Sequence, residues 1–232
     1  MKKNNTFYCF SPPVMIATMI AETVMFIYVL YRYRLNPTTR IIAAILILLA
    51  VFQLSEFNVC GNHSATLFMH IGFVAITMLP ALGLHLILKI AKKKYYPAII
   101  ISYATSAVFA LALGFSNSAF LGRVCGGNYS IFTLTDTVGG LYFAYYYILL
   151  LSGIVLSLYF AHSSDEKIRK ALLYQVLGYL TFLLPTGIVN TINPKTIDAI
   201  PSIMCGFAVL YALILVFGIA PTVATKKIKP KT

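Results

Sequence analysis

Residues 17–34, ATMIAETVMFIYVLYRYR, form an apolar run that contains one acidic side chain, Glu22. An ionised carboxylate at the centre of a bilayer costs at least ~2.5 kcal/mol on insertion scales, so such residues usually face a partner, a cavity or a substrate path. The apolar run has the length of one helical crossing, about 20 residues, and ends in Arg32 and Arg34. We therefore expect a retained first membrane span, rather than a cleaved signal peptide, with Glu22 near its centre.

The composition extends this interpretation to the whole chain. Of the 232 residues, 59% are hydrophobic and 10% are charged, and the mean hydropathy is +0.85, outside the range of an ordinary soluble domain. A chain of this length has room for about seven spans with short connections and for no catalytic or nucleotide-binding domain. We expect the lipid bilayer as a partner and no nucleic acid, although the net charge is +12.

Hydropathy and helix punctuation predict an all-α membrane protein with a bundle of seven transmembrane helices. The expected spans are residues 12–31, 40–57, 65–89, 96–116, 138–161, 170–191 and 200–220. They form one transmembrane domain, 12–220. A short external N-terminus, 1–11, precedes it, and a basic cytoplasmic tail, 221–232, follows it.

The basic residues predict the orientation of this bundle. With residues at span ends included, one side holds all but four of the 18 lysines and arginines. The other side holds only Lys2, Lys3, Arg123 and Lys195. By the positive-inside rule the N-terminus lies outside and the C-terminus is cytoplasmic. We therefore expect a multi-pass protein of the cell (inner) membrane.

Polar side chains inside the spans are the candidates for ligand binding or another function. They are Glu22, Gln53, Glu56, His70 and Asn190. Gln53 and Glu56 share a helix face because they are separated by three residues. A contact between Glu56 and His70 is geometrically reasonable across two antiparallel helices. The competing interpretation is a structural polar clamp at the helix ends.

Two prolines fall inside predicted spans, Pro80 in the third and Pro185 in the sixth. Each removes one backbone hydrogen bond and should bend its helix, which membrane helices tolerate when neighbours satisfy the freed carbonyl. Both are hinge candidates, and each can also line a pocket. The alternative is that they only serve helix packing.

Three of the four cysteines, Cys9, Cys60 and Cys125, fall on the predicted external side. Because external thiols meet an oxidising environment, we expect a disulfide bond. The pair Cys60–Cys125 is the first choice and Cys9–Cys60 the second, since the sequence does not determine the pairing. Cys205 lies within the seventh span, where a small packed core residue is expected. The long external segment around Cys125 should fold over the outer mouth of the bundle.

No enzyme motif is present in the sequence: it contains no HExxH, GxSxG or Walker A pattern and no lysine in the seventh span that could hold a retinal. We therefore predict no catalytic residue, no metal ligand set and no cofactor. The absence of a diagnostic motif favours a non-enzymatic protein.

Several stretches resemble the N-terminal seven-helix sensor region of bacterial membrane histidine kinases. They are HIGFVAITMLPALGLHLIL from residue 70, AYYYILLLSGIVLSLYF from residue 144, RKALLYQVLGYLTFLLP from residue 169 and DAIPSIMCGFAVLYALILVFGI from residue 198. The resemblance implies an external N-terminus and a cytoplasmic C-terminal side. It departs from the family after residue 220, where a basic tail stands instead of a kinase.

The N-terminal part also looks like uncharacterised membrane proteins that open with Cys-Phe-Ser and carry Gln-x-x-Glu on the second helix. The corresponding residues here are Cys9, Phe10, Ser11, Gln53 and Glu56. This second resemblance implies no known activity. It draws attention to the outer layer of the bundle.

Three functions are compatible with these patterns. The preferred one is a non-enzymatic sensor or receptor-like protein that binds a small molecule in an outward-facing cavity and relays the signal to a separate cytoplasmic or membrane protein. The first alternative is a small-solute or proton-coupled transporter that uses Glu22. The second is an intramembrane metal-dependent hydrolase built from Glu22, Glu56 and His70, for which no diagnostic ligand spacing exists.

Overall fold

A computed structural model of the protein describes residues 12–60, 65–125 and 130–224. Seven long helices are joined by short connections. Their bounds are α1 Pro12–Arg32, α2 Pro37–Cys60, α3 Ala65–Ile90, α4 Tyr96–Phe115, α5 Asp136–His162, α6 Glu166–Ile192 and α7 Ile200–Leu213. A π-helical segment, Ile214–Ile219, and a short helix α8, Ala220–Val223, continue the last crossing.

The prediction of seven helical spans is confirmed in number and order, because all seven crossings are long and apolar enough to span a membrane. Three helices start earlier than expected, α2 at Pro37, α5 at Asp136 and α6 at Glu166. The first is explained by Asn36, whose Oδ1 accepts the backbone N–H of Thr39 at 2.8 Å and caps the helix. Hydropathy does not detect such polar first turns.

The helices differ in how much of their surface is inside the bundle. In the apolar window of α3, 67% of the residues are buried, whereas in α4 only 17% are. α2 and α7 resemble α3, so these three helices form the centre, and α1, α4, α5 and α6 surround them. The outer helices expose large apolar side chains, which in a membrane contact lipid.

The two ends of the bundle are chemically different. We call the end at which α1 and α3 finish and α2 and α6 begin the basic end, and the opposite one the hairpin end. Near the basic end, the core consists of aliphatic side chains that are almost fully buried, among them Ile42, Leu46, Leu86, Ile87, Leu172 and Leu215. Near the hairpin end the core is aromatic and includes Phe52, Phe73, Tyr142 and Tyr145.

The connection between α4 and α5 contains a β-hairpin that the sequence analysis did not predict. Strand β1, Phe120–Cys125, pairs antiparallel with β2, Ser130–Leu134, and the register is irregular between Phe120 and Gly122. The strands are short, and Gly122 interrupts the alternation that would have indicated a strand. The seven-helix architecture is unaffected by this addition.

The hairpin covers one end of the bundle. β2 contacts the 3₁₀-helical segment Pro194–Ala199 that joins α6 to α7. The ring of Phe120 packs edge-on against His70 and Phe73 of α3, with ring centroids 5.3 and 5.2 Å away. This placement agrees with the expectation that the connection folds over the mouth of the bundle.

Pro80 and Pro185 both lie inside helices, in α3 and α6 respectively. One turn before Pro80, the backbone carbonyl of Thr77 accepts a hydrogen bond from the Tyr145 hydroxyl of α5 at 2.6 Å. A neighbouring helix thus supplies a donor beside the proline, as intramembrane prolines require. The role of either proline as a hinge stays a prediction.

Glycines of α3, α5 and α6 allow two buried tyrosines to fit between neighbouring helices. A methyl group added at Gly83 of α3 would collide with the Tyr179 hydroxyl, and one added at Gly153 of α5 would come within 2.8 Å of the Tyr179 ring. At Gly178 of α6 the added methyl would collide with the Tyr211 ring. The interior of the bundle is therefore packed around Tyr179 and Tyr211.

Gly178→Ala is expected to destabilise the bundle by roughly 1–3 kcal/mol, because an extra methyl group overpacks the contact with Tyr211. The matched control in the same helix is Gly187→Ala, where an added methyl meets nothing within 4 Å. Thermal unfolding in detergent should show a lower midpoint for Gly178→Ala and an unchanged or higher one for Gly187→Ala. Equal midpoints would contradict the packing described here.

Candidate functional site

The difference in exposure between the two faces of α1 shows which way Glu22 points. Exposed apolar side chains recur along one stripe, at Ile20, Val24, Ile27 and Tyr31. Buried side chains occupy the other stripe, which contains Glu22, Met25 and Val29. The helical period therefore directs Glu22, which is 0% exposed, toward α2 and α7, the helices that α1 contacts.

Glu22 belongs to a cluster of polar side chains from three helices. Its carboxyl group lies within electrostatic range of that of Glu56 on α2, and both lie within electrostatic range of the thiol of Cys205 on α7. Gln53 lies one turn before Glu56 and is 2% exposed. We call Glu22, Gln53, Glu56 and Cys205 the acidic cluster. It brings together three of the five polar residues singled out in the sequence.

The acidic cluster contains buried polar atoms without hydrogen bonds. Within the described ranges, neither carboxyl oxygen of Glu22 accepts a hydrogen bond, and Nε2 of Gln53 donates none. An unsatisfied buried polar group costs about 1–3 kcal/mol. Such groups in a membrane bundle usually mark a site that a proton, an ion, water or a ligand occupies.

The two glutamates are unusual among the buried side chains of the bundle. Among the side chains that the structure describes, Glu22 and Glu56 are the only buried ones that carry an acidic or basic group of the Asp, Glu, Lys or Arg type. Two negative charges in a low dielectric repel each other and are poorly solvated.

Two small cavities adjoin the acidic cluster along α7. The first has a volume of about 30 Å³ and is lined by Pro80 and by side chains of α2, α5, α6 and α7. The second, of about 10 Å³, lies closer to the hairpin end and is lined by Pro201 and side chains of α3, α5 and α7. Both are lined by Tyr146, Met204 and Cys205. The larger cavity has room for about two water molecules.

A second polar group, which the sequence analysis missed, lies on the far side of the larger cavity. Gln175 of α6 donates a hydrogen bond from Nε2 to the Tyr211 hydroxyl at 2.7 Å. In the described part of the chain, Oε1 of Gln175, the Tyr179 hydroxyl and Oγ of Ser157 have no hydrogen-bond partner. We call Gln175, Tyr179 and Tyr211 the polar layer. The only sequence signal for it was Gln175 within an apolar run.

An apolar layer follows the polar layer in the direction of the basic end. Leu172 lies one turn closer to that end than Gln175, and Leu215 lies one turn closer than Tyr211. Both leucines are 0% exposed. The polar interior thus reaches from the hairpin end to the middle of the bundle, and aliphatic side chains fill the space beyond it.

The remaining two predicted site residues take part in contacts between helices and connections. Nδ1 of His70 is 2.6 Å from the Leu113 carbonyl, to which it donates, and so joins α3 to α4. Oδ1 of Asn190 accepts a hydrogen bond from the Thr196 hydroxyl at 2.6 Å, which fastens the connection between α6 and α7. A contact between His70 and Glu56 stays a prediction.

The cysteines fall into two groups. Cys205 is buried and forms no disulfide bond, which confirms the expectation of a packed core residue. Cys9 lies outside the described residues, and so do the side chains of Cys60 and Cys125. The backbone places Cys60 at the end of α2 and Cys125 at the end of β1. Both suggested pairings therefore stay predictions.

The basic end carries a larger and more open pocket of about 610 Å³. Its lining combines basic and acidic side chains from α3, α6 and the loop before α6, among them Lys89, Lys167, Asp165 and Glu166. Thr222 and Val223 of α8 line it as well. The pocket shows that the ends of α3 and α8 and the start of α6 lie side by side.

Glu22, Glu56 and Cys205 are not placed to hold a metal ion together, and the described residues contain no other group of three or more His, Cys, Asp or Glu side chains that could do so. No known protein family matches the sequence, and no characterised protein matches it either. Fold and site together define a multi-pass membrane protein with seven helical crossings and a buried acidic cluster. The resemblance to histidine-kinase sensor regions stays a prediction.

Glu22→Met is expected to stabilise the bundle by about 1–3 kcal/mol, because it replaces two unsatisfied buried oxygens with an apolar side chain of similar size. Thermal unfolding in detergent measures the effect. Glu166→Gln, on the exposed first turn of α6, is the control and should leave the midpoint unchanged. A large loss of stability in Glu22→Met would indicate that Glu22 has a stabilising partner.

Proposed function

We propose that the protein is a non-enzymatic seven-helix sensor of the cell membrane. In this proposal a small ligand enters from the hairpin end and binds in the two cavities along α7, and the bundle relays the event to a separate protein at the basic end. The single observation that carries the proposal is the unpartnered Glu22 carboxyl in a polar cluster whose member Cys205 lines both cavities.

The path of the ligand follows α5 and α7. The smaller cavity is lined by Tyr142 and Tyr147 of α5 and by Pro201 at the start of α7. Through Tyr146 and Cys205 it adjoins the larger cavity. Aromatic walls with a few polar groups are typical of small-molecule sites. The present volumes suit water, so a larger ligand would have to separate α5 from α7.

The relay would run along α7. This helix lines the larger cavity with Met204, Cys205 and Tyr211, continues as the π-helix Ile214–Ile219, and reaches the basic-end pocket at Val223. Short π-helical segments occur frequently at functional sites. A change between π- and α-helical hydrogen bonding would rotate the last turns of α7 relative to the cavity.

The orientation in this proposal follows the charge distribution. The basic end contains the helix termini at which Arg32, Lys89 and Lys167 lie. Cytoplasmic loops of membrane proteins are enriched in lysine and arginine. We therefore assign the basic end to the cytoplasm and the hairpin end, with the N-terminus, to the outside.

Ligand binding is tested on the protein reconstituted in lipid nanodiscs with a panel of small molecules. A ligand that occupies the cavity at 100 times its Kd should raise the free energy of unfolding by about 2.7 kcal/mol. Tyr146→Leu should abolish this stabilisation because Tyr146 lines both cavities. In the wild-type protein, ligand binding should also change hydrogen exchange at the amides of the π-helix Ile214–Ile219.

The matched control is Tyr159→Leu, which changes a tyrosine of the same helix that is 69% exposed. This variant should keep the stabilisation. If no compound stabilises the protein, or if both variants lose the effect equally, the sensor proposal fails. Stabilisation without a change in hydrogen exchange at the π-helix would remove the proposed relay.

A proton-coupled transporter is the second candidate, and the position of Glu22 favours it. Glu22 is ten residues from Arg32, so it lies about 15 Å from the end of α1, near the middle of the membrane. Acidic residues at this depth often relay protons. The apolar layer at Leu172 and Leu215 would then have to open during transport.

Transport is tested by measuring proton and solute uptake into proteoliposomes at an imposed pH gradient. A transporter should show uptake that depends on the gradient and disappears in Glu22→Gln. Glu166→Gln, an exposed carboxyl, should leave uptake unchanged. Uptake that persists in Glu22→Gln would exclude Glu22 as the coupling group.

A further inference from the structure

The basic-end pocket, of about 610 Å³, is lined by the termini of four helices. Lys89 and Lys92 lie at the end of α3 and just beyond it, and Lys167 lies in the first turn of α6. Thr38 belongs to the first turn of α2, and Val223 is the last residue of α8. Because all these residues lie within about one turn of a helix end, the pocket is level with the boundary between the bilayer and water.

The electrostatic field at this end of the bundle is positive. In the described part of the basic end there are two acidic residues, Asp165 and Glu166, and ten lysines and arginines. The ten are Arg32, Arg34, Arg40, Lys89, Lys92, Lys93, Lys94, Lys167, Arg169 and Lys170. The basic end therefore attracts anions and repels free cations.

The two acidic residues line only one side of the pocket. Asp165 and Glu166 lie at the start of α6, where the helix dipole stabilises negative charge, and both are exposed. The part of the lining that comes from α2, α3 and the residues just after α3 contains no acidic side chain. It consists of Thr38, Lys89, Ile90 and Lys92. An anion is therefore favoured on this side of the pocket.

The first turn of α2 offers this side a backbone donor. Pro37 has no N–H, and the N–H of Thr39 donates to Oδ1 of Asn36 at 2.8 Å. The N–H of Arg40 donates to the Asn36 carbonyl at 3.0 Å. Among the described residues, the Thr38 N–H is thus the donor of this turn that remains for a ligand. Such N–H groups and the helix dipole together favour phosphate.

Lys92 has a backbone conformation that favours glycine, with a φ of 55°. It ends α3 in a Schellman motif, in which the Lys93 N–H donates to the Leu88 carbonyl at 2.9 Å and the Lys92 N–H to the Lys89 carbonyl at 3.2 Å. A side chain in this conformation is strained. The residue that carries this strain also brings an ammonium group to the pocket lining.

We propose that the basic-end pocket binds a phosphate group, which Lys89 and Lys92 contact through their ammonium groups and Thr38 through its backbone N–H. Lysine is a common phosphate ligand in proteins. A phosphate in this position joins the start of α2 to the end of α3. The site is separate from the cavities along α7, and the inference does not depend on the proposed sensor function.

The phosphate group can come from two sources. Basic pockets between transmembrane helices bind the headgroups of anionic phospholipids, and the level of this pocket matches that of the headgroups. A soluble phosphate compound reaches the same level from the water. Both sources present the same group to the lysines, so the experiment has to distinguish them.

Binding is measured by ³¹P nuclear magnetic resonance on the full chain in a phosphate-free neutral detergent, titrated with inorganic phosphate at constant ionic strength. Lys92→Gly should weaken binding about tenfold, because it removes a charge-assisted contact with the phosphate. The same variant should keep or raise the midpoint of thermal unfolding, because glycine relieves the positive φ. A purely structural role of Lys92 would not lower the affinity of a folded variant.

The matched control is Lys94→Gln, which removes the same charge from an exposed side chain that does not line the pocket. This variant should keep the affinity of the wild type. Tyr146→Leu should keep it too, since Tyr146 lines only the cavities along α7 among the pockets described here. If Lys92→Gly and Lys94→Gln weaken binding equally, the general field of the basic end attracts the anion and the proposal is overturned.

Hydrogen exchange at the Thr38 amide locates the bound phosphate. Addition of inorganic phosphate should slow this exchange in the wild type, because the N–H then donates to a phosphate oxygen. The effect should be smaller in Lys92→Gly at the same phosphate concentration. Phosphate binding without any change at the Thr38 amide would place the anion elsewhere and overturn the proposal.

A second arm identifies the source of the phosphate. The protein is taken from nanodiscs of phosphatidylcholine with and without phosphatidylglycerol, and native mass spectrometry counts the lipids that it retains. Phosphatidylglycerol retained by the wild type and lost from Lys92→Gly would assign a lipid headgroup. Binding of inorganic phosphate without selective lipid retention would assign a soluble compound. A wild-type protein that binds neither would overturn the proposal.

Discussion

The burial of two carboxyl groups in an apolar helix bundle is the constraint on which the rest of the site depends. Glu22 must face inward because the opposite stripe of α1 is apolar and exposed. Glu56 comes from α2, and Cys205 of α7 completes the cluster. Once these groups are together, the low dielectric makes their charge state, rather than their shape, the dominant energetic variable.

The polar side chains of the interior extend from the hairpin end only as far as the middle of the bundle. It starts at the hairpin end, where Glu56 lies near the end of α2, passes the cavities along α7, and reaches the polar layer around Gln175. Closer to the basic end, the buried side chains of Leu172 and Leu215 make the interior apolar. An interior that is polar on one side and apolar on the other suits detection of a ligand from one side of the membrane. For transport, the bundle would need a second conformation in which the apolar layer is open.

Aromatic packing holds this arrangement in place. Tyr179 and Tyr211 occupy space that Gly83, Gly153 and Gly178 leave open, and their rings are 5.6 Å apart. Tyr145 connects α5 to the backbone of α3 beside Pro80. Because Tyr179 and Tyr211 line the larger cavity, movement of α6 or α7 has to repack them. The cavity and the helix packing are therefore coupled through the same residues.

The sequence by itself determined the number, order and approximate ends of the helices, because the bilayer thickness imposes a length and an apolar composition that hydropathy detects. It also identified Glu22, Gln53 and Glu56, since buried polar residues are conspicuous in apolar runs. Only the tertiary structure decided that they share one cluster with Cys205, that His70 bonds to Leu113 and Asn190 to Thr196, and that Gln175, Tyr179 and Tyr211 form a second polar group. The sequence analysis did not predict the β-hairpin either. Hydrophobic periodicity describes each helix alone, whereas these features depend on how helices rotate and approach one another, which side-chain packing between distant segments determines.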